Sequence, residues 1–429
     1  MPHTTPTTQP TPAPTPAPVP ADLPSFQTLG IQPTFLKMLE QRKITVPTPI
    51  QLRAIPIALQ GSDVVGIAQT GTGKTLAFGL PLLQRLAKGG RALIILPTRE
   101  LAQQVDESLA PYAATMGIRT AVFIGGASMY LQRQMLKRNP RILIATPGRL
   151  NDHLEHKTVT LKEVTVLVLD EADRMLDMGF KPQIERILQH VPKERQTMLF
   201  SATMPQEIMR LATVHMRSPL RIEVAPAGTA AEKVEQELFI VRREQKLFLL
   251  ASLLTEHKGT ILIFSRTKHG AKKITHAIQQ MGHTAAEIHS NKSLSQRREA
   301  LYGFKSGRYR ILVATDIASR GIDVSNIEVV LNFDLPDDPS DYVHRIGRTA
   351  RAGKEGLAIS FATPDQAKDI RDIERLIRTP IRRKTSPTMP QTQFDAVPES
   401  SSFRPRRSFQ RRPQQGGGGR QSGGQRRWR

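Results

Sequence analysis

The sequence of 429 residues contains no cysteine, which excludes disulfide bonds and metal sites built from thiolates. No run of apolar residues approaches the length of a membrane-spanning helix. The first 24 residues have neither basic residues nor an apolar stretch, so a secretory signal is not expected. These absences predict a cytoplasmic protein without a membrane partner.

Acidic residues are scarce relative to basic ones. The chain has 38 Asp and Glu against 61 Lys and Arg, which gives a formal net charge of +23. Residues 380–429 alone contain 12 Lys or Arg and 2 Asp or Glu, so the surplus is shared between this segment and the rest of the chain. Such a balance predicts a polyanionic partner.

Composition divides the chain into five segments. Residues 1–24 form a Pro/Thr-rich tract and residues 379–429 an Arg/Gly-rich basic tail, and both are predicted to be disordered. Between them, apolar strands alternate with amphipathic helices, which predicts parallel sheets covered on both faces. A linker at 219–235 would join two α/β domains, at 25–218 and 236–378. The predicted strands are 64–67, 92–96, 121–124, 142–145, 164–169 and 197–200, then 260–264, 285–288, 311–314, 328–333 and 357–361.

A phosphate-binding loop is predicted between the strand at 64–67 and the helix that follows it. Its residues are small, so backbone N–H groups can turn toward an anion, and the helix N-terminus adds partial positive charge. Lys74 would reach the β- and γ-phosphates of a nucleotide, and the Thr75 hydroxyl would bind Mg²⁺. An ordinary turn is the alternative. The predicted nucleotide-binding residues here are Ala68, Gln69, Thr70, Gly71, Thr72, Gly73, Lys74 and Thr75.

A second motif, Asp170-Glu171-Ala172-Asp173, follows the strand predicted at 164–169. Asp170 therefore lies at the carboxyl edge of a sheet, where open α/β sheets bind ligands, and is predicted to hold Mg²⁺ through water. Glu171 is predicted to orient and polarise an attacking water. A helix N-cap would by itself explain an aspartate here. Together with the phosphate loop, however, the motif predicts hydrolysis of a nucleoside triphosphate.

With these two motifs, further segments occur in the order typical of the DEAD-box ATP-dependent RNA helicases, a family that the chain resembles over residues 25–378. The segments are Phe26 with Pro47-Thr48-Pro49-Ile50-Gln51, Pro97-Thr98-Arg99-Glu100-Leu101-Ala102, Gly125-Gly126, Thr146-Pro147-Gly148-Arg149, Ser201-Ala202-Thr203, and the stretches 263–267, 314–323 and 344–351. The resemblance implies two tandem RecA-like domains, RNA-stimulated ATP hydrolysis, and local, non-processive unwinding of short RNA duplexes. The short core and basic extension also resemble the bacterial RhlE-type subgroup.

The resemblance also implies roles around the nucleotide. Phe26 would stack on adenine, Gln51 would pair with the edge of the base, and Asp323 would contact the ribose. A core phenylalanine and a buried glutamine at a helix start are the alternative for the first two. Arg348 and Arg351 are implied as arginine fingers that reach the γ-phosphate from the second domain, so hydrolysis would require domain closure.

Coupling between the domains is implied for four residues. Ser201 and Thr203 would hydrogen-bond Asp173, and His344 would bridge the two domains. For the serine and the threonine, capping of the next helix is the alternative. For the histidine, the alternative is a structural role.

RNA contacts are implied for loops that follow strands, where helix N-termini and backbone N–H groups can face a phosphate backbone. Aromatic residues make up only 5% of the chain, so these contacts are expected to go to sugar and phosphate, with little sequence preference. A solvated surface charge is the alternative for any one of the arginines. The implied contact residues are Pro97, Thr98, Arg99, Gly125, Gly126, Thr146, Pro147, Gly148, Arg149, Arg266 and Thr315.

The sequence departs from the family pattern at four positions, one of which is Ala68, where the phosphate loop usually begins with Gly. Leu294 stands where a Gln usually precedes Arg297, an arginine that in the family contacts RNA or closes the domain interface, and Ser290 and Ala350 stand where Gly is usual. The missing amide could loosen how Arg297 is held, which puts the efficiency of strand separation in question, not ATP binding.

The tail leaves several functions open. Its arginines and aromatic residues could tether RNA or dock on ribosomal particles or RNA-decay proteins, and a purely solubilising role is the alternative. An ATP-gated RNA clamp or annealing chaperone and a DNA-translocating ATPase are the rival functions for the whole chain. The Gln51 segment and Asp170-Glu171-Ala172-Asp173 argue against the DNA motor.

Overall fold

The structure, a computed structural model, describes residues 24–69, 71–224, 234–316, 327–350, 356–385 and 394. Within these residues, fourteen strands form two seven-stranded sheets in which the paired strands run parallel. The first sheet contains β1 (Val64–Ile67), β2 (Arg91–Ile95), β3 (Thr120–Phe123), β4 (Ile142–Ala145), β5 (Val164–Leu169), β6 (Gln196–Ser201) and β7 (Leu220–Glu223). The second contains β8 (Val234–Ile240), β9 (Ile261–Phe264), β10 (Ala285–Ile288), β11 (Ile311–Ala314), β12 (Val329–Asn332), β13 (Gly356–Ala362) and β14 (Arg382–Lys384).

Within the described residues, helices connect successive strands, as parallel pairing requires, whereas residues 225–233 between β7 and β8 and residues 317–326 between β11 and β12 lie outside the description. In the first half they are α1 (Pro33–Gln41), α2 (Pro49–Leu59), α3 (Lys74–Leu86), α4 (Arg99–Thr115), α5 (Met129–Leu136), α6 (Pro147–Glu155), α7 (Ala172–Asp177), α8 (Lys181–His190) and α9 (Gln206–His215). In the second half they are α10 (Lys246–Glu256), α11 (Lys268–Gln280), α12 (Leu294–Lys305), α13 (Pro339–Ile346) and α14 (Ala367–Ile377), with short 3₁₀ helices at Phe26–Leu29, Arg243–Gln245 and Pro364–Gln366. Among the described helices, none is long and apolar enough to cross a membrane.

The two sheets have the same strand order. The first runs β3-β4-β2-β5-β6-β1-β7 and the second β10-β11-β9-β12-β13-β8-β14, so β1 corresponds to β8 and β5 to β12. We call the first sheet with its helices domain 1 and the second sheet with its helices domain 2. The described parts of both belong to one compact unit.

Helices cover both faces of each sheet, which explains why the central strands are continuous apolar runs. All four residues of β1 and of β4 are buried, as are all four of β9 and β11. On one face of the first sheet the core includes Phe78 and Phe200, and on the other it includes Phe123 and Met175. This burial fixes the strands whose carboxyl ends carry the candidate site.

Three strands occur where the sequence does not predict one. β7 lies within the predicted linker and pairs with β1, and β14 lies within the predicted tail and pairs with β8. Both are edge strands with charged side chains, and only Ile222 of β7 is buried, so neither shows an apolar run. β8 is a third, at the start of domain 2. Residues 1–23, residues 225–233 of the predicted linker, and residues 386–393 and 395–429 of the predicted tail lie outside the described residues.

Candidate functional site

The loop between β1 and α3 has the backbone of an anion cradle. Gly71 and Gly73 have φ angles of 84° and 89°, in the left-handed region that favours glycine. A Cβ at Gly73 would lie 2.5 Å from Nε2 of Gln51. Ala68, where the family pattern has Gly, is not in the left-handed region, and its N–H donates to the carbonyl of Ser201 at 2.9 Å. The first position of the loop therefore tolerates a methyl group.

Lys74, the first residue of α3, supplies the cation of this cradle. It is 5% exposed, and its ammonium group has no hydrogen-bond partner among the described residues. The nearest carboxylate oxygen it pairs with is Oδ1 of Asp170, at 3.8 Å. A buried ammonium group is costly without hydrogen bonds, so the site fits a phosphate group. Thr75, half-buried, is next in the helix, and in the loop the Thr72 hydroxyl donates to the carbonyl of Gln69 at 2.7 Å.

Two carboxylates follow β5. Asp170 is buried, and this burial raises its pKa to about 6 although Lys74 opposes the shift. Glu171 has a left-handed φ of 52°, which for a non-glycine residue stores about 1–2 kcal/mol of strain. Its Oε2 lies 2.9 Å from Nη1 of Arg174. Burial alone would raise the pKa of Glu171, but Arg174, Lys74 and Arg348 outweigh it and hold the pKa below its usual value.

Asp173 links the acidic motif to the end of β6. Its Oδ2 accepts hydrogen bonds from the N–H of Ala202 at 3.0 Å and from the N–H and hydroxyl of Thr203 at 2.8 and 3.0 Å. Its own N–H donates to Oγ of Ser201 at 3.2 Å. Burial alone would raise the pKa of Asp173, but Lys74 and these hydrogen bonds contribute to holding it low. The structure thus places Ser201 and Thr203 in hydrogen-bond contact with Asp173.

Domain 2 contributes two side chains to this region. Arg348 is 4% exposed and lies close enough to Glu171 to lower its pKa. His344 lies close enough to Asp173 to lower the pKa of that carboxyl, and burial lowers the pKa of His344 itself. Domain 2 therefore faces the carboxylates of domain 1. The predicted site residues that lie outside the described residues are Thr70, Asp323 and Arg351.

Gln51 braces the phosphate loop. Its Oε1 accepts from the N–H of Thr48 at 2.9 Å, and its Nε2 donates to the carbonyl of Gly73 at 3.0 Å. One amide N–H and one lone pair remain for a base. Phe26 is 3% exposed and belongs to the core that also contains Phe35, so the structure places this ring in packing.

Three predicted RNA-contact loops follow the adjacent strands β3, β4 and β2. Arg99 begins α4, and its guanidinium group lies against the Gly125-Gly126 turn, where a Cβ at Gly126 would be 2.5 Å from Nη1 of Arg99. Arg149, in the first turn of α6, donates to the carbonyl of Ala127 at 3.0 Å. These contacts brace the loops against one another. The same loops and helix starts contain Pro97, Thr98, Thr146, Pro147 and Gly148.

A buried histidine, which sequence reasoning missed, supports these loops from the interior of domain 1. His153 is fully buried, with Nε2 3.1 Å from Oε1 of Gln132 and Nδ1 2.8 Å from the hydroxyl of Thr158. Gln132 in turn donates to the carbonyl of Ile124, directly before the glycine turn. Burial, followed by the charge of Arg149, lowers the pKa of His153 to about 4. A histidine within an amphipathic helix carries no signal that separates it from a surface residue.

A second contact joins the two domains, and sequence reasoning missed its acidic member, Glu100. Oε2 of Glu100, in the first turn of α4, lies 2.8 Å from Nη2 of Arg297 in α12, and both side chains are buried. Leu294, at the start of α12, packs against the core of domain 1. Arg266 and Thr315, the predicted RNA contacts of domain 2, follow β9 and β11. The resemblance offers closure of the domain interface as one role of Arg297, but no sequence signal pairs this residue with Glu100.

Comparisons with known proteins agree with this architecture. Two family models match, DEAD/DEAH box helicase over residues 48–211 and Helicase conserved C-terminal domain over residues 245–353. The DEAD-box ATP-dependent RNA helicase CshA of Geobacillus kaustophilus is 42% identical over 369 residues, which cover 85% of this chain and 79% of the relative. The ATP-dependent rRNA helicase RRP3 of Debaryomyces hansenii is also 42% identical over 369 residues, covering 85% and 77%.

Solved structures of other proteins share this fold. Dbp5 of S. cerevisiae bound to RNA and ADP BeF3 superposes with a TM-score of 0.76 at 30% identity, covering 84% of this chain and 95% of that one. Mss116p bound to ssRNA and AMP-PNP superposes with a TM-score of 0.79 at 28% identity, covering 87% and 82%. The prediction of two tandem RecA-like parallel-sheet domains is confirmed.

Proposed function

This chain belongs to the DEAD-box family of ATP-dependent RNA helicases, and we propose that closure of its two domains on ATP and RNA assembles the site that hydrolyses ATP. The position of Arg348 carries this proposal. A cation from domain 2 lies close enough to Glu171 of domain 1 to lower its pKa. Either domain alone would lack part of the charge that phosphoryl transfer needs.

In the proposed reaction, a water attacks the γ-phosphorus while the bond to the oxygen that bridges the β- and γ-phosphates breaks, giving ADP and phosphate. Glu171, held ionised by its neighbours, accepts a hydrogen bond from this water and orients it. Lys74 binds the β- and γ-phosphates, which would give its buried ammonium group hydrogen-bond partners. Arg348 and Arg351 stabilise the charge on the transferring group.

Mg²⁺ is the ion proposed to accompany ATP, and its donors would be the Thr75 hydroxyl and the Asp170 carboxylate. These are hard oxygen ligands of the kind Mg²⁺ prefers, and the ion would neutralise phosphate charge when bound. The adenine would meet the free N–H and lone pair of the Gln51 amide, which favours ATP over other nucleotides. Phe26 would support this segment by packing, and Asp323 would contact the ribose.

The proposed coupling runs through Asp173. This carboxylate accepts hydrogen bonds from Thr203, and its N–H donates to Ser201, so it ties the acidic motif to the end of β6. His344 of domain 2 approaches the same carboxylate. A change at the phosphates can therefore reach the domain interface through rigid, buried groups.

RNA would bind along the braced loops of domain 1 and at Arg266 and Thr315 of domain 2. Helix N-termini and arginines dominate these loops, which favours sugar and phosphate contacts over base contacts. The proposed outcome of closure is a strand geometry that a duplex cannot adopt, so one strand of a short duplex is released locally. Reopening after hydrolysis resets the enzyme, with no long-range translocation.

The proposed subgroup of the chain within the family, and its proposed partners, rest on the basic tail. Its 12 Lys and Arg in residues 380–429 support membership of the bacterial RhlE-type subgroup and cytoplasmic contact with ribosomal particles or RNA-decay proteins. One 42%-identical relative is named an rRNA helicase, which favours ribosomal RNA among these targets. A chain ending at Thr385 retains β14 and should keep core unwinding while losing tail-dependent RNA annealing or tethering.

The decisive experiment measures steady-state ATP hydrolysis without nucleic acid, with single-stranded RNA and with DNA of matched sequence. We expect strong stimulation by RNA alone in the full chain and in the chain ending at Thr385. In parallel, Glu171→Gln should bind ATP and RNA with wild-type affinity while turnover falls by at least about 100-fold, as for loss of one aligned catalytic group. Glu107→Gln, an exposed carboxylate of α4, is the matched control.

Three results would contradict the proposal in different ways. Equal stimulation by DNA would favour the DNA-translocating ATPase. RNA-stimulated hydrolysis without separation of short duplexes would favour the clamp or annealing chaperone. Wild-type turnover in Glu171→Gln would remove the assigned role of that residue.

A further inference from the structure

Domain 2 repeats the lysine–aspartate placement of the nucleotide site. Lys246 is the first residue of α10 and follows β8, just as Lys74 is the first residue of α3 and follows β1. Asp334 follows β12, the counterpart of β5, which precedes Asp170. The ammonium nitrogen and Oδ1 are 3.0 Å apart in the domain 2 pair and 3.8 Å apart in the domain 1 pair. The same topology thus places a lysine–aspartate pair in each domain, with both side chains buried in domain 1 and only the lysine buried in domain 2.

The domain 2 pair has no cradle for a nucleotide. Residues 241–245, between β8 and α10, contain no glycine and no residue with a left-handed φ, and Arg243–Gln245 form a 3₁₀ helix. Unlike Lys74, Lys246 already has partners, because it donates to the carbonyl of Phe333 at 2.6 Å and to Asp334 at 3.0 Å. Its nitrogen also lies 5.2 Å from the centre of the Phe333 ring. This lysine is committed to the protein rather than to a phosphate.

The second oxygen of Asp334 holds the turn that follows β9. Oδ2 accepts from the hydroxyl of Ser265 at 3.3 Å and from the backbone N–H of Arg266 at 3.1 Å. Ser265 is fully buried, and the N–H of Asp334 donates to the carbonyl of Phe264 at 3.3 Å. One carboxylate thus connects α10, β12 and the Ser265–Arg266 turn.

The side chain of Arg266 is held less firmly than its backbone. Nη2 donates to the carbonyl of Leu335 at 3.3 Å, and Nε lies 3.2 Å from Oδ1 of Asp337. The Arg266 side chain is 42% exposed and the Asp337 side chain 81% exposed. An ion pair this exposed is worth little and is readily exchanged for another anion. The guanidinium group is therefore available to a phosphate, provided that its backbone is fixed in the right place.

We infer that Lys246 and Asp334 are positioning residues for RNA binding, which hold the Ser265–Arg266 turn so that the Arg266 guanidinium meets the RNA backbone. This inference rests on the proposed RNA contact of Arg266. The lysine keeps the aspartate ionised, and an ionised carboxylate makes stronger hydrogen bonds to the turn than a neutral group. Lys246 and Asp334 occupy the positions that Lys74 and Asp170 have in domain 1, but they support a turn instead of binding a nucleotide.

The test is a double-mutant cycle on the RNA concentration that gives half-maximal ATPase activity, called K(RNA) here. Asp334→Asn keeps the shape of the side chain but loses its charge, and we expect K(RNA) to rise about tenfold, because hydrogen bonds to charged groups contribute about 1.5–3 kcal/mol. The maximal rate at saturating RNA and the affinity for ATP without RNA should stay within about twofold of wild type, since the Asp334 side chain binds Lys246, Ser265 and Arg266, which have no assigned role in ATP hydrolysis. Glu256→Gln, exposed at the end of α10, is the matched control.

Arg266→Ala completes the cycle. If Asp334 acts through Arg266, Asp334→Asn should raise K(RNA) no further in the Arg266→Ala background. Additive effects of the two changes, or wild-type K(RNA) in a folded Asp334→Asn protein, would overturn the inference. Wild-type K(RNA) in Arg266→Ala would instead refute the proposed RNA contact itself, and the inference with it.

A second variant covers loss of folding, which thermal unfolding of each protein would detect. Ser265→Ala removes one hydroxyl from the buried turn and leaves the Lys246–Asp334 pair intact. We expect a rise in K(RNA) of about threefold, from one hydrogen bond of about 0.5–1.5 kcal/mol. The rise should vanish in the Arg266→Ala background, and its persistence there would also overturn the inference.

Discussion

Replacing Glu100 by glutamine should weaken domain closure without changing the nucleotide site. Oε2 of Glu100 in domain 1 lies 2.8 Å from Nη2 of Arg297 in domain 2, and both side chains are less than 10% exposed. Burial raises the pKa of Glu100, and Arg297 opposes that shift. The substitution leaves the Arg297 cation facing a neutral amide at a buried interface.

The expected size of the closure defect follows from the burial of this ion pair. Removing one partner of a buried ion pair typically costs about 3–5 kcal/mol, because the other charge stays buried without compensation. The cost falls on the closed form alone, since separated domains would return both groups to water. Taking about 3 kcal/mol and a factor of ten for each 1.4 kcal/mol, the ratio of closed to open protein should fall about 100-fold. Because RNA binding and closure are linked, K(RNA) should rise at least about tenfold.

Two measurements separate this from damage to the ATP site. K(RNA) should rise while ATP affinity without RNA stays at the wild-type value, and energy transfer between dyes on the two domains should report fewer closed molecules. The absence of cysteine lets single cysteines at the exposed positions Lys162 and Lys305 carry the dyes.

The partner substitution completes the argument. Arg297→Met should reproduce the defect, the double variant should be no worse than either single one, and Glu107→Gln on the same helix should be silent. Wild-type energy transfer and K(RNA) in Glu100→Gln would refute the idea that this pair stabilises closure.

Two further predictions concern stability. The pKa of His153 is lowered to about 4, so the unfolded state binds more protons between about pH 4 and 6.5, and stability should fall by about 2 kcal/mol from pH 7 to pH 5. In urea unfolding, His153→Gln should lack this part of the pH dependence, and an identical dependence in both proteins would contradict it. Ala350 has a left-handed φ of 53°, so Ala350→Gly should raise stability by about 0.5–1 kcal/mol, the strain relieved less the entropy lost. Ser290→Gly, at a residue outside the left-handed region, should lower stability, and thermal unfolding of both variants would measure the two changes.

The central strands were predictable because they are apolar on both faces. β4 and β5 begin and end where the sequence predicts, since helices bury every side chain of β4 and all but one of β5. The edge strands β7 and β14 were not, because an edge strand gains its backbone pairing from one neighbour and can keep charged side chains in water. Their formation depends on β1 and β8 being in place, which is a tertiary effect that no local pattern encodes.

The candidate site divides along similar lines. Gly73 and Lys74 were predictable, because a left-handed turn and a phosphate contact require these residue types at fixed spacings along the sequence. Arg174 and His153 become meaningful only when folding buries them beside Glu171 and Gln132. The sequence shows which residues these are but not that they are buried. Burial lowers the pKa of His153 and places Arg174 against Glu171.

Leu294 shows why a departure from a family pattern has to be judged in three dimensions. The sequence suggests that loss of the usual amide could loosen Arg297. In the structure, Arg297 has Glu100 as its ion-pair partner, while Leu294 packs against the core of domain 1. An apolar side chain gains stability by leaving water when the domains close, at roughly 25 cal/mol per Å² of buried area. Leu294 therefore adds a hydrophobic contribution to closure beside the ionic one, and the two together favour the arrangement in which Arg348 faces Glu171.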